Sequence, residues 1–230
     1  WHCVEPETPG EHNYFTFYFN HESSTCSGSG GYYGHSETGS YLRSSGNINS
    51  SSDFALLEMD DDPASWWDPY FAGWSRSSSA PTISAGIHHP GGYAKEINFD
   101  NDQASSCSWD WSGNYHWCLN WDYGGTAGGS SGSPIFNNSK LIVGQLSGGT
   151  GADCSGTDFY GKFSQSWSNS SNSSYNLKAW LDPNNTEIYT LEGTYNGATI
   201  VYGCTDNNAG NYDSDATNND GSCEYAEGSC

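Results

Sequence analysis

The chain has 230 residues and a formal net charge of -21, with 6 Lys and Arg against 27 Asp and Glu. That balance argues against nucleic acid or an anionic membrane as partner, since both call for a basic face, and no apolar stretch approaches the length of a membrane span. The length suits one domain of roughly 200 residues plus a small appendage.

Eight cysteines, together with many Gly, Ser and Asn, point to a secreted, extracellular protein with disulfides. The chain opens WHCVEP without a Met and is expected to be a mature or truncated piece of a longer product.

In chain order, short apolar-rich runs recur between Gly, Ser, Asn and Pro breaks: 14–20 (YFTFYFN), 53–59 (SDFALLEM without its Ser), 81–87 (PTISAGI) and 94–99 (AKEINF) come first. They continue with 116–121 (HWCLNW), 133–136 (SPIF), 141–146 (LIVGQL) and 159–163 (FYGKF). Their length, spacing and β-branched and aromatic content predict an all-β sandwich or barrel. The Ser/Asn stretch 164–174 reads as a loop. From Ser174 to Leu181, Leu177, Trp180 and Leu181 share one helical face, and Asp182-Pro183 ends the pattern, so a short helix is expected there.

After about residue 196 the composition shifts. Residues 203–225 are dense in Asp and Asn and almost devoid of apolar side chains, so they need a disulfide, with Cys204 and Cys223 the obvious pair, or an ion. The expected division is therefore a domain over 1–195 and a tail over 196–230.

Reactive chemistry is concentrated in GGTAGGSSGSPIF, 124–136. An acyl-transfer serine needs an exposed hydroxyl and two backbone N–H groups aimed at the developing oxyanion. The frame Gly129-Ser130-Ser131-Gly132-Ser133-Pro134 meets that need with Ser131 as nucleophile and the N–H groups of Gly129 and Ser131 as the oxyanion hole. Gly/Ser-rich loops are also common without any catalytic role. A serine needs a base beside it, and His2, His12, His21, His35, His88, His89 and His116 are the candidates. Asp53, leading straight into an apolar strand, is costly there unless it has a partner.

The order His2-Cys3, then Asp53-Phe-Ala-Leu-Leu, then Gly-Ser-Ser-Gly-Ser-Pro resembles that of trypsin-like serine proteases, with spacings of 51 and 78 residues in that family's range. SDFALLEM, FAGWSR, GIHHPGG followed by AKEI, GSSGSPIF, IVGQLSGG, DFYGKF and the closing WLDP are similar, in the same order, to bacterial lysyl endopeptidase over about residues 1–185. The resemblance implies two six-stranded antiparallel β-barrels, the first incomplete at its start, with a short C-terminal helix. It implies a secreted serine endopeptidase with the triad His2, Asp53 and Ser131, acting as a monomer on protein or peptide substrates with a basic P1 residue and requiring no cofactor. It also implies that Asp158 binds P1 (six residues before the serine stands Gly125, not a carboxylate), that Leu146, Ser147 and Gly148 pair with the substrate backbone, and that His88 and His89 belong to a structural strand.

Three departures accompany the resemblance. Ser147 stands where lysyl endopeptidase has a His stacked on a Trp, a position open to Trp109 or Trp111. Ser130 stands where trypsin has the Asp that captures a freed α-amine, so activation by that ion pair is excluded. One residue precedes His2 where the family has dozens, so Cys3, Cys26 and Cys154 are expected to lack their upstream partners and Cys230 to lead into a further repeat. Cys107 and Cys118 flank a Trp-rich hairpin that they are able to close. The tail resembles Gly-Cys-Thr-Asp…Asp-Gly-Ser-Cys repeats of secreted marine bacterial proteins. Its Asp206, Asp213, Asp215 and Asp220 are candidate Ca2+ ligands, with a disulfide-held solvated linker as the simpler reading. A catalytically inactive binding or adhesion module is the alternative function. A metal hydrolase built on His88 and His89 is disfavoured because neighbouring residues on a strand face opposite ways.

Overall fold

In the computed structural model, which describes residues 1–5, 10–26, 28, 30–109, 113–151, 156–195, 201–216, 218–219 and 221–225, every apolar run read from the sequence contains a strand. The first half carries β1 (Thr16–Phe19), β2 (His35–Thr38), β3 (Ser40–Gly46), β4 (Phe54–Met59), β5 (Tyr70–Phe71) and β6 (Trp74–Ser75). The second carries β7 (Ser84–His88), β8 (Glu96–Asp100), β9 (Ser105–Cys107), β10 (His116–Leu119), β11 (Pro134–Phe136), β12 (Ile142–Gly149) and β13 (Asp158–Lys162).

β1 pairs antiparallel with β2 and β3 with β4, each as a two-stranded sheet, the second with a bulge between Leu42 and Ser44. The remaining long strands form one path, β8-β7-β11-β12-β13-β10-β9, with β6 attached to β12. β2 and β3 arise from the Ser/Gly-rich stretch 35–46, where composition gave no strand signal; they exist because β1 and β4 offer their edges, and cross-strand pairing outweighs weak propensity.

Helical structure departs from expectation at two places. Residues 163–168 form α1 (Phe163–Ser168), overturning the loop expected from 164. Phe163 and Trp167, one turn apart, both pack their rings on Trp74, with centroids 5.2 Å and 4.8 Å away. Burial of two large rings decides the conformation against the Ser-rich composition. The helix expected over 174–181 is split into a turn of 3-10 helix at Ser173–Tyr175 and α2 (Lys178–Leu181), because Asn176 between them is extended at φ -149° and ψ 148°. It stops at Asp182 as expected, whose carboxylate accepts from the backbone N–H groups of Thr186 and Glu187.

Two apolar clusters hold the body together. One is Ala104, Trp117, Leu119, Ile135, Val143, Leu146 and Tyr160 within the large sheet. The other joins Phe54 of β4 to Trp74, Phe163, Trp167, Leu177 and Ile188, so strands from the first half and helices from the end share one interior. Each fully buried side chain of this size contributes about 1.5–3 kcal/mol. Pairing continues through β14 (Thr190–Leu191) on β6 and β15 (Thr194–Tyr195) on β5.

Cys204–Cys223 closes as expected, Cys107 and Cys118 do close their hairpin, and Cys3 and Cys26 are free. Cys154, Trp111, Asp220 and Cys230 lie outside the described residues. In the tail, β16 (Tyr202–Gly203) pairs with β17 (Asn218–Asn219). Asp206 accepts from the Tyr225 hydroxyl at 2.6 Å and Asp213 from the Asp215 N–H at 2.9 Å. No described helix is long and apolar enough to cross a membrane.

Candidate active site

Asp53 is the best-anchored of the expected site residues. It is 2% exposed and sits at φ 53°, in the left-handed region that a non-glycine residue adopts at a cost. Its neighbour Ser52 fixes that conformation from three elements. The Ser52 carbonyl accepts from Gln145 Nε2 of β12 at 2.6 Å, and its hydroxyl bonds Ser166 of α1 at 2.7 Å. The same carbonyl approaches β13 so closely that a Cβ on Gly161 would lie 1.7 Å from it. Only glycine at 161 permits the contact.

Held this way, the Asp53 carboxylate grips residue 2 twice. Oδ1 accepts the His2 backbone N–H at 3.0 Å, and Oδ2 lies 2.6 Å from Nδ1 of the ring. A carboxylate on Nδ1 assigns the proton to that nitrogen and leaves Nε2 as the acceptor, the form a general base requires. Nε2 is 3.4 Å from the Cys3 sulfur, and that sulfur borders the nucleophile loop, 3.9 Å from where a Cβ on Gly132 would stand. Residues 2 and 53 thus meet although 51 positions apart in sequence, and the Cys3 sulfur beside them reaches the loop that carries Ser131.

The loop carrying Ser131 is tied by its own backbone: Ser130 N–H donates to Ala127 O at 3.0 Å, Ser133 N–H to Ser130 O at 3.1 Å and Gly132 N–H to Leu146 O at 2.8 Å. Gly129 takes φ 93°. Among the described residues the N–H groups of Gly129 and Ser131 donate to no protein acceptor. Two uncommitted donors beside the hydroxyl are what an oxyanion hole needs.

Asp158, first residue of β13, is 7% exposed. Its Oδ2 accepts from Trp121 Nε1 at 2.6 Å and Thr126 Oγ1 at 2.8 Å, whereas Oδ1 accepts from no described residue. Burial pushes this carboxyl above the ordinary aspartate value, against the opposing pull of the Thr126 and Trp121 bonds and nearby His88. Trp121 and Thr126 escaped the sequence reading; the one signal was their place between a buried strand and the glycine-rich run.

On β12, Leu146 already spends its N–H on Ser133 and its carbonyl on Gly132. β11 reaches no further along β12 than Gln145, so Ser147 and Gly148 present the edge that is open to an added strand. Trp109 lies over one face of that segment: its ring is 3.3 Å from where a Gly148 Cβ would be and packs on Phe159 at 4.7 Å. Ser147 is buried and meets His116 Nε2 at 3.0 Å. His116 is fully buried, and desolvation lowers its pKa to about 4, outweighing the opposing effect of Asp53.

The other candidate bases are engaged elsewhere. His12 Nε2 bonds Val4 O at 2.8 Å, His21 Nδ1 bonds Tyr32 O at 3.1 Å, and His35 stacks on Trp67. His88 bonds Ser130 Oγ at 2.8 Å and His89 bonds Tyr93 O at 2.9 Å, so the pair faces different neighbours and forms no common metal site. Among the described residues one group has metal-ligand spacing, Asp100, Asp102 and Asp122, with ligand atoms within 4.8 Å of one another. Asn101 already occupies Asp122 through two hydrogen bonds.

Residues 1–161 match the family described as lysyl endopeptidase, C-terminal domain. The chain belongs to that family. The lysyl endopeptidase match covers His2, Asp53, Ser131 and Asp158 alike. Among solved structures, the chain is similar to human heparin binding protein at 17% identity, covering 66% of this chain and 67% of that one with a TM-score of 0.41. It is also similar to an inactive serine-to-alanine mutant of Rv3671c from M. tuberculosis H37Rv, at 14% identity and a TM-score of 0.40, with 58% of this chain and 64% of that one covered.

Proposed function

We propose that the protein is an extracellular serine endopeptidase that hydrolyses peptide bonds after Lys, built as two β-barrels over 1–195 with a repeat-type tail over 196–230. The observation that carries this reading is the two-point grip of buried Asp53 on His2, whose Nε2 faces Cys3 at the border of the Ser131 loop. Ser131 Oγ passes its proton to His2 Nε2 and attacks the carbonyl. The N–H groups of Gly129 and Ser131 hold the oxyanion, and the imidazolium returns the proton to the leaving amine. Water then hydrolyses the acyl-enzyme by the reverse sequence of proton transfers. Cys3, which the resemblance pairs with an upstream cysteine, leaves Nε2 when so paired and opens the direct path to Ser131.

Asp158 selects the substrate. A desolvated carboxylate rejects an uncharged P1 group, which leaves the charge unpaired. With Oδ2 committed to Trp121 and Thr126, one oxygen remains. A single acceptor suits the compact ammonium of Lys better than the two-pronged fork of Arg. The tail serves as a solvated linker held by Cys204–Cys223, since its described carboxylates Asp206, Asp213 and Asp215 form no group with metal-ligand spacing.

The position of the Cys3 thiol favours one other reading, a protease fold kept for binding alone. Cleavage of otherwise identical peptides with Lys, Arg or Leu at P1 by the full-length polypeptide separates the two. Selective cleavage after Lys is expected; no cleavage of any peptide refutes the peptidase, and Leu cleaved as fast as Lys refutes the role of Asp158.

A further inference from the structure

His88 is a buried residue that the triad and pocket do not use. It and Ser130 are 2% and 1% exposed, and its Nδ1 lies 2.8 Å from Ser130 Oγ. The Ser130 oxygen also accepts the Ala127 N–H at 3.2 Å, so this one hydroxyl ties its own loop to His88. Burial holds the His88 imidazole below its ordinary value, with Glu96 and Asp158 acting in the opposite sense.

The backbone following His88 touches the same loop. Gly91 N–H donates to Gly128 O at 2.7 Å. A Cβ on Gly129 would lie 3.0 Å from Gly91 N, 3.2 Å from Gly92 N and 3.3 Å from His89 O. Gly129, with φ 93°, is thus seated against the backbone of His89, Gly91 and Gly92. The residue pinned by the His88 side chain lies between the two residues whose N–H groups form the candidate oxyanion hole.

We infer that His88, acting through Ser130, is a positioning residue that holds the Gly129 and Ser131 N–H groups in the oxyanion-binding orientation, and that the segment 88–92 is the clamp for that loop. The inference rests on the proposed peptidase activity. It supplies what Ser130 takes away: with no carboxylate at 130, a neutral hydrogen bond made within the chain orders the loop, and no freed α-amine is needed. A clamp of this kind acts on the transition state and leaves P1 binding alone, because the charge develops on the oxyanion and not in the pocket.

The test uses the full-length polypeptide and rates per active site titrated to endpoint with a fluorophosphonate. Deleting an oxyanion donor costs about 10²–10³ in kcat; displacing two donors slightly is expected to cost roughly 10- to 100-fold. His88→Leu should lower kcat on a Lys peptide by that factor and weaken a Lys peptide aldehyde, whose adduct uses the hole, in parallel. KM, which reports uniform binding, should stay within about twofold. His88→Asn, whose Oδ1 stands near the lost Nδ1, should recover most of the loss. Ser130→Ala should match His88→Leu, and the double variant should be no worse than either. A lower melting temperature with kcat and aldehyde affinity unchanged refutes the inference, as does a double variant whose losses multiply. Wild type that leaves Ser131 unlabelled refutes the peptidase itself, and the clamp with it.

Discussion

Asp158→Asn isolates the charge of the specificity pocket. The amide keeps the shape, and its oxygen can still accept from Trp121 Nε1 and Thr126 Oγ1, which lie 2.6 Å and 2.8 Å from the carboxylate now. What disappears is the partner of a P1 ammonium in a site that is 7% exposed. Removing one member of a buried pair costs about 3–5 kcal/mol. At about 1.36 kcal/mol per tenfold, kcat/KM for a Lys peptide should fall roughly 10²- to 10⁴-fold, while that for a Leu peptide moves by a few-fold at most. The assay is the Lys-to-Leu ratio of kcat/KM across pH, because the triad enters both terms and cancels. Since burial raises the Asp158 pKa, the wild-type ratio should already fall with acid above the ordinary aspartate range, and the ratio of the variant should be flat. The raised value also fixes the sign for stability: the contribution of this group is fully present below the ordinary aspartate pKa and is lost as pH rises through the folded value. A ratio that survives the substitution, or a wild-type ratio indifferent to pH, refutes the pocket.

Three more outcomes follow from the geometry. His116, with a folded pKa of about 4 against an ordinary 6.5, stabilises the fold fully above pH 6.5, and roughly 3 kcal/mol should be lost as pH falls toward 4. Urea melts of wild type and His116→Gln should diverge at pH 7 and converge near pH 4; parallel pH profiles refute it. Cys3→Ala in the 230-residue chain should free Nε2 and speed fluorophosphonate labelling of Ser131 by at least about tenfold, given that a general base contributes 10²–10⁴; an unchanged or slower rate contradicts the blocking role of the thiol. Gly161→Ala pushes a Cβ into the Ser52 carbonyl and should cost about 1–3 kcal/mol while slowing labelling, because Asp53 shifts with Ser52; a stable variant with normal labelling refutes that route.

The strands with apolar runs were legible because burial in a sheet demands consecutive β-branched and aromatic residues, and β10, buried at all four positions, is the clearest case. β2, β3 and α1 were not, since their residues are polar or small and owe their conformation to neighbours distant in sequence. The same division runs through the site. Asp53 announced itself as a carboxylate entering an apolar strand, and Ser131 by its glycines. By contrast, Cys3 beside the Ser131 loop, His116 on Ser147 and His88 on Ser130 are contacts between segments far apart in the chain. Neither hydrophobic period nor motif spacing encodes such a contact; only the folded register brings the partners together.

The most direct measurement is mass spectrometry of the full-length polypeptide after treatment with a fluorophosphonate. A single adduct on the peptide containing Ser131, formed at a rate that collapses in His2→Ala and vanishes in Ser131→Ala, is the predicted result. An unmodified Ser131, or an adduct whose rate ignores His2, would contradict the account at its root.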